Sequence, residues 1–195
     1  MVGKRKMVRN YSAEPVARHV VDRLLDNAVR APSAGFSQGW SFLVLDTRAD
    51  IDKYWDIFVG DQEWEADGWL RGMRTAPVLI FPCVSKSAYL DRYAESDKGW
   101  TDQDQARWPM PYWYMDTAMA TMLILQTVVD EGLGACYFGI PPHHDAEFRQ
   151  AFGIPADVEP IGVVSVGHPA DGGAKGSGQR RARKPIEEIV HTGRW

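Results

Sequence analysis

The chain is poor in cysteine, with only Cys83 and Cys136 among 195 residues. Each lies in an apolar stretch, which predicts two buried free thiols rather than a disulfide and fits a reducing compartment. No run of about 18 uninterrupted apolar residues exists, so no membrane span is expected. The basic N-terminus lacks the apolar run of a secretory signal. Together these absences predict a soluble, cytoplasmic protein. No G-x-G-x-x-G opens a βαβ unit, so no dedicated dinucleotide fold is expected. Gly173-Ala-Lys-Gly-Ser-Gly178 has P-loop ingredients, but its lysine is followed by glycine and no helix pattern begins there; residues 171–178 read instead as a flexible linker. The adjacent pair His143-His144 points in different directions and has no partner at ligand spacing, so no metal site is expected. Net charge is −4, which disfavours general nucleic-acid binding. Acidic residues are missing from two stretches, however. Residues 1–10 carry Lys4, Arg5, Lys6 and Arg9, and residues 175–184 carry Lys175, Arg180, Arg181, Arg183 and Lys184. These read either as two solvated tails or as two ends that converge on one anion.

What the chain does have is enough apolar residue, 45%, for one domain spanning residues 1–195. Ser12 reads as a helix cap with Pro15 in the first turn. Val16, Val20, Val21, Leu24, Leu25 and Ala28 follow at helical spacing, and the helix ends near Ala31-Pro32. Residues 41–46 read as a strand, and 50–59 and 62–72 as short helices. Residues 77–84 (PVLIFPCV) read as a buried strand that ends or bulges at Pro82. Residues 85–111 are polar and aromatic and read as a lid with a helix near 86–94, part of an aromatic insertion of about 60–112. Residues 112–131 form a helix that is apolar around most of its circumference, which predicts a central or subunit-interface position, and Gly132 stops it. A strand or turn at 135–140, a short helix from Asp145 to Phe152 and a strand at 160–167 follow, with a C-terminal arm at 186–195. Alternating strands and helices indicate an α+β or α/β sandwich around one sheet.

The most informative segment is Ala31-Pro-Ser-Ala-Gly-Phe-Ser-Gln-Gly-Trp40, a helix-to-strand turn of small and amide residues. Such a turn is expected to leave backbone N–H groups free to grip a planar heterocycle. It also spells Gly35-Phe36-Ser37-Gln38-Gly39, the G-x-S-x-G of serine hydrolases, but there the serine follows a strand and precedes a helix. Here the order is reversed. A flavin mononucleotide has three needs that the chain meets: guanidinium groups for its phosphate, a positive charge at its pyrimidine edge, and a backbone donor at N5. Arg5, Arg181 and Arg183 suit the first, Arg9 the second and the turn Tyr137-Phe138-Gly139 the third.

The order of motifs resembles the nitroreductase family. Arg5-Lys-Met-Val-Arg-Asn-Tyr11 is similar to its opening R-R-S-x-R-x-[FY], and Pro32-Ser33…Gln38-x-Trp40 to its P-S-x-x-N-x-Q-P-W. Gly132-Leu-Gly-Ala-Cys-Tyr-Phe-Gly139 resembles its G-L-G-A turn, Gly153-Ile-Pro155 and Pro160–Pro169 its G-I-P…G-x-P segment, and Arg181-Ala-Arg183-Lys-Pro185 its closing basic pair. The resemblance implies an α+β fold with a central, mostly antiparallel sheet flanked by helices and a swapped C-terminal arm. It implies an obligate homodimer with FMN at the interface, reduced by NAD(P)H, which passes hydride through flavin N5 to a nitroaromatic, quinone or similar planar acceptor. No catalytic side chain is implied. By the same resemblance Arg5, Lys6, Arg181 and Arg183 bind phosphate and Arg9 lies by the pyrimidine edge. Pro32, Ser33, Ala34, Gly35 and Gln38 reach the flavin from the partner subunit, and Phe138 and Gly139, with Tyr137 beside them, lie near N5. Met7 stands where the family has serine, Phe36 where it often has asparagine and Gly39 where it has proline.

Five of the eight tryptophans, Trp64, Trp69, Trp100, Trp108 and Trp113, fall between residues 64 and 113. They read either as packing that seals the lid or as an aromatic wall over the flavin. Phe36, Trp108, Tyr112 and Trp113 are the candidate pocket residues. Alternative readings are a flavin store or sensor without turnover, the flavin-fragmenting branch that makes dimethylbenzimidazole, and a serine hydrolase acting through Ser37.

Overall fold

The computed structural model describes residues 2–60, 67–141, 144–176 and 181–195. A five-stranded sheet lies at the centre, with strands β1 (Trp40–Leu45), β2 (Val78–Ser85), β3 (Gly134–Phe138), β4 (Val158–Pro160) and β5 (Val163–Gly167). The order is β1-β2-β5-β3, with β4 also on β2, and every strand pair is antiparallel. The fold is therefore α+β.

Two apolar layers cover the sheet. On one face Ile51, Tyr54 and Trp55 of α2 (Arg48–Val59), Leu70 of α3 (Gly68–Met73) and Phe148 of α6 (Asp145–Phe152) pack on Leu79, Phe81 and Val163. On the other, Val21 and Leu24 of α1 (Arg18–Ala28) and Ala120, Ile124 and Val128 of α5 (Tyr112–Asp130) pack on Val78, Ile80, Val164 and Val166. The period of two along β2 and β5 sends alternate side chains into the two layers. The lid carries helix α4 (Ser87–Ala94).

Several elements depart from expectation, each for a local reason. Helix α1 starts at Arg18 with Ala17 at its N-cap and no side-chain cap. The Ser12 hydroxyl accepts from the Glu14 N–H, two residues on, and its own N–H pairs with the His168 carbonyl, but no helix follows until Arg18. Helix α2 begins earlier than 50, because Thr47 accepts from the Asp50 N–H and caps it. Of the helix expected at 62–72, only Gly68–Met73 is described, capped by Asp67, while residues 61–66, Trp64 among them, lie outside the described residues. Strand β2 runs straight through Pro82 to Ser85. Its second edge pairs with β5 at residues 78–80 and with β4 at 83–85. The N–H that Pro82 lacks points toward this changeover, on the same side as its carbonyl, which accepts from Ile161. The strand expected at 160–167 is thus two strands.

The inner face of α5 is less apolar than its composition suggests. Asp116, Thr117, Thr121 and Thr127 are buried there. The three threonine hydroxyls are satisfied by carbonyls four residues back. The methionines take the outside: Met115, Met119 and Met122 are 44%, 40% and 46% exposed. Both cysteines are buried and free, as expected. Among the described residues no helix is long and apolar enough to cross a membrane.

Candidate functional site

The N-terminal segment is laid along the outer edge of β3. Met7 bridges Ala135 in parallel, and the Val8 N–H reaches the Ala135 carbonyl at 2.8 Å. Tyr11 bridges Pro169 beyond β5. This fixes the basic residues around a cavity of about 290 Å³, which Lys4, Arg5 and Lys6 line above Leu125, Val128, Leu133 and Pro169. Arg5 is half-buried, and its Nη1 is buried with no hydrogen-bond partner. A buried guanidinium nitrogen left unpaired costs free energy until an acceptor arrives, so this pocket fits an anion such as a phosphate.

Arg9 lies further along the same segment, with Nη1 3.3 Å from the Met7 carbonyl. The residues read as a linker lie against it. The Ala170 N–H donates to the Asn10 carbonyl, the Asn10 amide donates to the Asp171 carbonyl, and a Cβ at Gly176 would stand 2.4 Å from Arg9 Nη1. Residues 170–176 therefore pack against the N-terminal segment at Asn10 and Arg9. Residues 177–180, including Arg180, lie outside the described residues. Arg181 and Arg183 are exposed on the arm and make no hydrogen bond or ion pair with any described residue. Neither is among the residues that line the Arg5 cavity.

The turn at 31–40 is built differently from expectation. Its backbone N–H groups are mostly spent on itself. Ala34 donates to Asp116 Oδ2 at 2.8 Å, Phe36 to the Ser33 carbonyl, Ser37 to the Ala34 carbonyl and Gln38 to Ser33 Oγ at 3.0 Å. Gly35, Phe36 and Gln38 hold positive φ of 60°, 58° and 50°, a conformation that is strained for the two non-glycine residues. The lid braces the turn, since Arg92 Nε donates to the Gly35 carbonyl at 2.8 Å while its other nitrogens grip Asp97. What the turn presents outward is Pro32, the Gln38 amide and the Phe36 ring, which is 71% exposed. Ser37 donates its hydroxyl to the Ala34 carbonyl at 2.6 Å and bonds no histidine among the described residues, so it has none of a nucleophile's partners.

The G-L-G turn after α5 delivers its residues to different sides. The Tyr137 N–H donates to Met7 Sδ at 3.4 Å, and its hydroxyl donates to the Ile161 carbonyl at 2.7 Å. Phe138 points to the opposite sheet face and stacks on Trp55, with centroids 5.7 Å apart. Gly139 is exposed. Met7, where a serine would give a phosphate contact, thus has a structural task.

The aromatic residues of the lid pack chiefly on one another. Trp108 lies 4.5 Å from Tyr93, 5.5 Å from Trp100, 6.0 Å from Tyr112 and 5.9 Å from Trp113, centroid to centroid. Trp113 is buried on α5. Trp108, Tyr112 and Trp113 therefore belong to one packed cluster, against which Ala34 of the turn also lies. A cavity of about 640 Å³ lies elsewhere, lined by Tyr11, Pro15, Asp46, Arg48, Asp52, Arg71 and Arg74. The Arg48 and Arg74 guanidiniums there are engaged by Asp52 and Asp56. Among the described residues no group of three or more histidine, cysteine or carboxylate side chains is placed to hold a metal.

Sequence reading missed Asp116. It is 3% exposed on the inner face of α5 and accepts from both the Ala34 N–H and the Tyr89 hydroxyl, the latter at 2.9 Å. The available signal was its spacing, three residues from Trp113 and four from Ala120, which puts a carboxylate on a buried stripe.

Comparison with known proteins bears on the family and the fold. Two archaeal proteins that share the name "Putative NADH dehydrogenase/NAD(P)H nitroreductase" are each 26% identical to the chain. The match covers 88% of the chain and 84% of the Archaeoglobus fulgidus protein, and 98% of the chain and 84% of the Methanothermobacter thermautotrophicus protein. The crystal structure of a nitroreductase family protein from Clostridium difficile 630 superposes with a TM-score of 0.69 at 21% identity, covering 100% of the chain and 96% of that protein. The model of the nitroreductase family matches residues 2–168, and the chain therefore belongs to that family of oxidoreductases.

Proposed function

We propose that the protein is an FMN-dependent oxidoreductase that takes hydride from NAD(P)H and delivers it to a nitroaromatic, quinone or similar planar acceptor, working as a homodimer in the cytoplasm. One observation carries the cofactor reading: the buried, unpartnered Nη1 of Arg5 beside Lys4 and Lys6 in a cavity of about 290 Å³. The names of the archaeal relatives support NAD(P)H as the reductant. Two free buried thiols fit the cytoplasm.

When bound, the flavin would supply the two-electron chemistry. The chain's own part is to hold and orient it. Arg5 and Lys6 neutralise the phosphate, joined by Arg181 and Arg183 when the arm closes in the dimer. Arg9, held by the Met7 carbonyl, offers its charge to the pyrimidine edge. The exposed backbone of Gly139, next to Phe138, is the donor for N5. Pro32, Ser33, Gly35 and Gln38 reach the partner subunit's flavin as a preshaped turn, and Phe36 forms the adaptable wall of the acceptor pocket. The exposed stripe of Met115, Met119 and Met122 on α5 is the surface for the second copy.

The test is an absorbance spectrum of the purified protein, before and after anaerobic addition of NADH or NADPH. A yellow protein that bleaches with either reductant is expected. A colourless protein that takes up no FMN overturns the reading, and a yellow one that neither reductant bleaches makes it a flavin store instead.

A further inference from the structure

We infer that Asp116 is the positioning residue of the flavin-clamping turn, holding residues 33–38 in shape through the Ala34 N–H. This rests on the proposed FMN site. The turn contains two strained non-glycine residues, Phe36 and Gln38, and a strained conformation persists only where its surroundings over-determine it. Bonds internal to the turn cannot fix where it stands relative to the sheet. The Ser85 N–H holds the end of the turn through the Gly39 carbonyl at 2.8 Å, and the Tyr93 ring lies against Gly35; two side-chain hydrogen bonds from outside reach its first half. One is the exposed-side brace from Arg92 to the Gly35 carbonyl. The other is the bond from Ala34 to Asp116 Oδ2, made by a carboxylate that is almost wholly buried. A bond from a buried carboxylate to a backbone N–H is among the stronger single contacts available. Tyr89 donates to the same oxygen and packs against Gly39, where a Cβ would stand 2.4 Å from its ring. One carboxylate oxygen therefore ties the start of the turn to the residue that lies against its end.

The Ala34 N–H opens a 3₁₀ turn, and Ser33 before it has φ −141° and ψ 148°. Proline is tolerated at such a first position, and the extended backbone of Ser33 suits a residue before proline. Ala34→Pro thus deletes the donor and leaves Asp116 and Tyr89 in place.

The test titrates FMN into flavin-stripped wild-type, Asp116→Ala, Asp116→Asn, Ala34→Pro and Asp116→Ala/Ala34→Pro proteins, with Arg5→Ala as a reference. It also follows amide hydrogen exchange of residues 33–38 in the same stripped proteins. Asp116→Ala and Ala34→Pro should each weaken FMN binding about tenfold or more, and the double variant should be no worse than the weaker-binding single. Asp116→Asn, which keeps an acceptor oxygen, should bind within about threefold of wild type. Faster exchange of the 33–38 amides in Asp116→Ala and Ala34→Pro should accompany the loss, and wild-type exchange should return in Asp116→Asn. The inference is overturned if Ala34→Pro binds FMN like wild type, if the two single effects multiply, if Asp116→Asn behaves like Asp116→Ala, or if exchange is unchanged. Weakened binding by Arg5→Ala with none by the anchor variants sinks the anchor alone. Absence of FMN binding by wild type sinks the FMN site, and the exchange data then decide whether Asp116 holds the turn.

Discussion

Tyr11 donates its phenolic proton to the Val8 carbonyl at 2.8 Å, and its oxygen lies within hydrogen-bond distance of the Ser165 hydroxyl at 2.7 Å. A residue of the N-terminal segment thereby closes a buried network on a central strand, and the segment that carries Arg5 and Arg9 becomes part of the fold. Tyr11→Phe removes the shared hydroxyl and leaves buried polar groups with fewer partners. It should lower stability by about 1–3 kcal/mol, read from the denaturant midpoint at constant m-value. It should also weaken FMN binding, because the segment loses its tie to β5. An unchanged midpoint would mean that the network contributes nothing.

Arg5→Ala separates stability from binding. In the flavin-free protein it removes a buried unpaired nitrogen, so the melting temperature should stay level or rise, whereas FMN affinity should fall by about tenfold or more. A variant that melts earlier and binds FMN normally would assign Arg5 to the fold instead of the phosphate.

Alkaline pH should destabilise the protein. Burial pushes Tyr54 well above its ordinary value, and burial together with the Asp116 hydrogen bond does the same to Tyr89. Tyr114, which donates to Glu159, is pushed up to about 12, and burial raises the Cys83 thiol to about 11. All four hold their protons more tightly folded than unfolded. Their contribution is complete below the unfolded values, roughly 8.5 for thiol and 10 for phenol, and is lost as pH rises beyond them. Urea midpoints should therefore fall between pH 8 and pH 11, and the phenolate absorbance should lag behind that of the denatured chain. A midpoint that rises over this range would contradict the assignment.

How far the sequence foretold this structure depended on which signals were local. Helix α5 and strands β2 and β5 were legible because long apolar patterns leave few alternatives. The start of α1 was not, since Ser12 is tied to the His168 carbonyl, far off in sequence, and its hydroxyl closes only a local turn with Glu14. Pro82 misled because a missing donor matters only where a neighbouring strand needs it, and the changeover from β5 to β4 removes that need. At the site, the basic residues and the turn were found from composition and order. The role of Asp116 was hidden, because a lone acid in an apolar helix shows its purpose only once the turn 82 residues away is in place.

The methionine stripe gives a further expectation. Met119→Asp puts a charge in the middle of the proposed dimer surface, where burying it would cost several kcal/mol. Sedimentation should show a folded monomer with little bound FMN. A stable dimer would place the interface elsewhere.

Gly39 has consequences for redesign. Its α-carbon is wedged between the Tyr89 ring and the Ser85 carbonyl, which a Cβ would approach to 2.4 Å and 2.8 Å. Position 39 is thus closed to every other amino acid, whereas three residues earlier Phe36 projects into solvent. A library meant to broaden the acceptor range should diversify position 36 and leave the wedge alone, since enlarging it would shift the whole turn and blur any gain in selectivity.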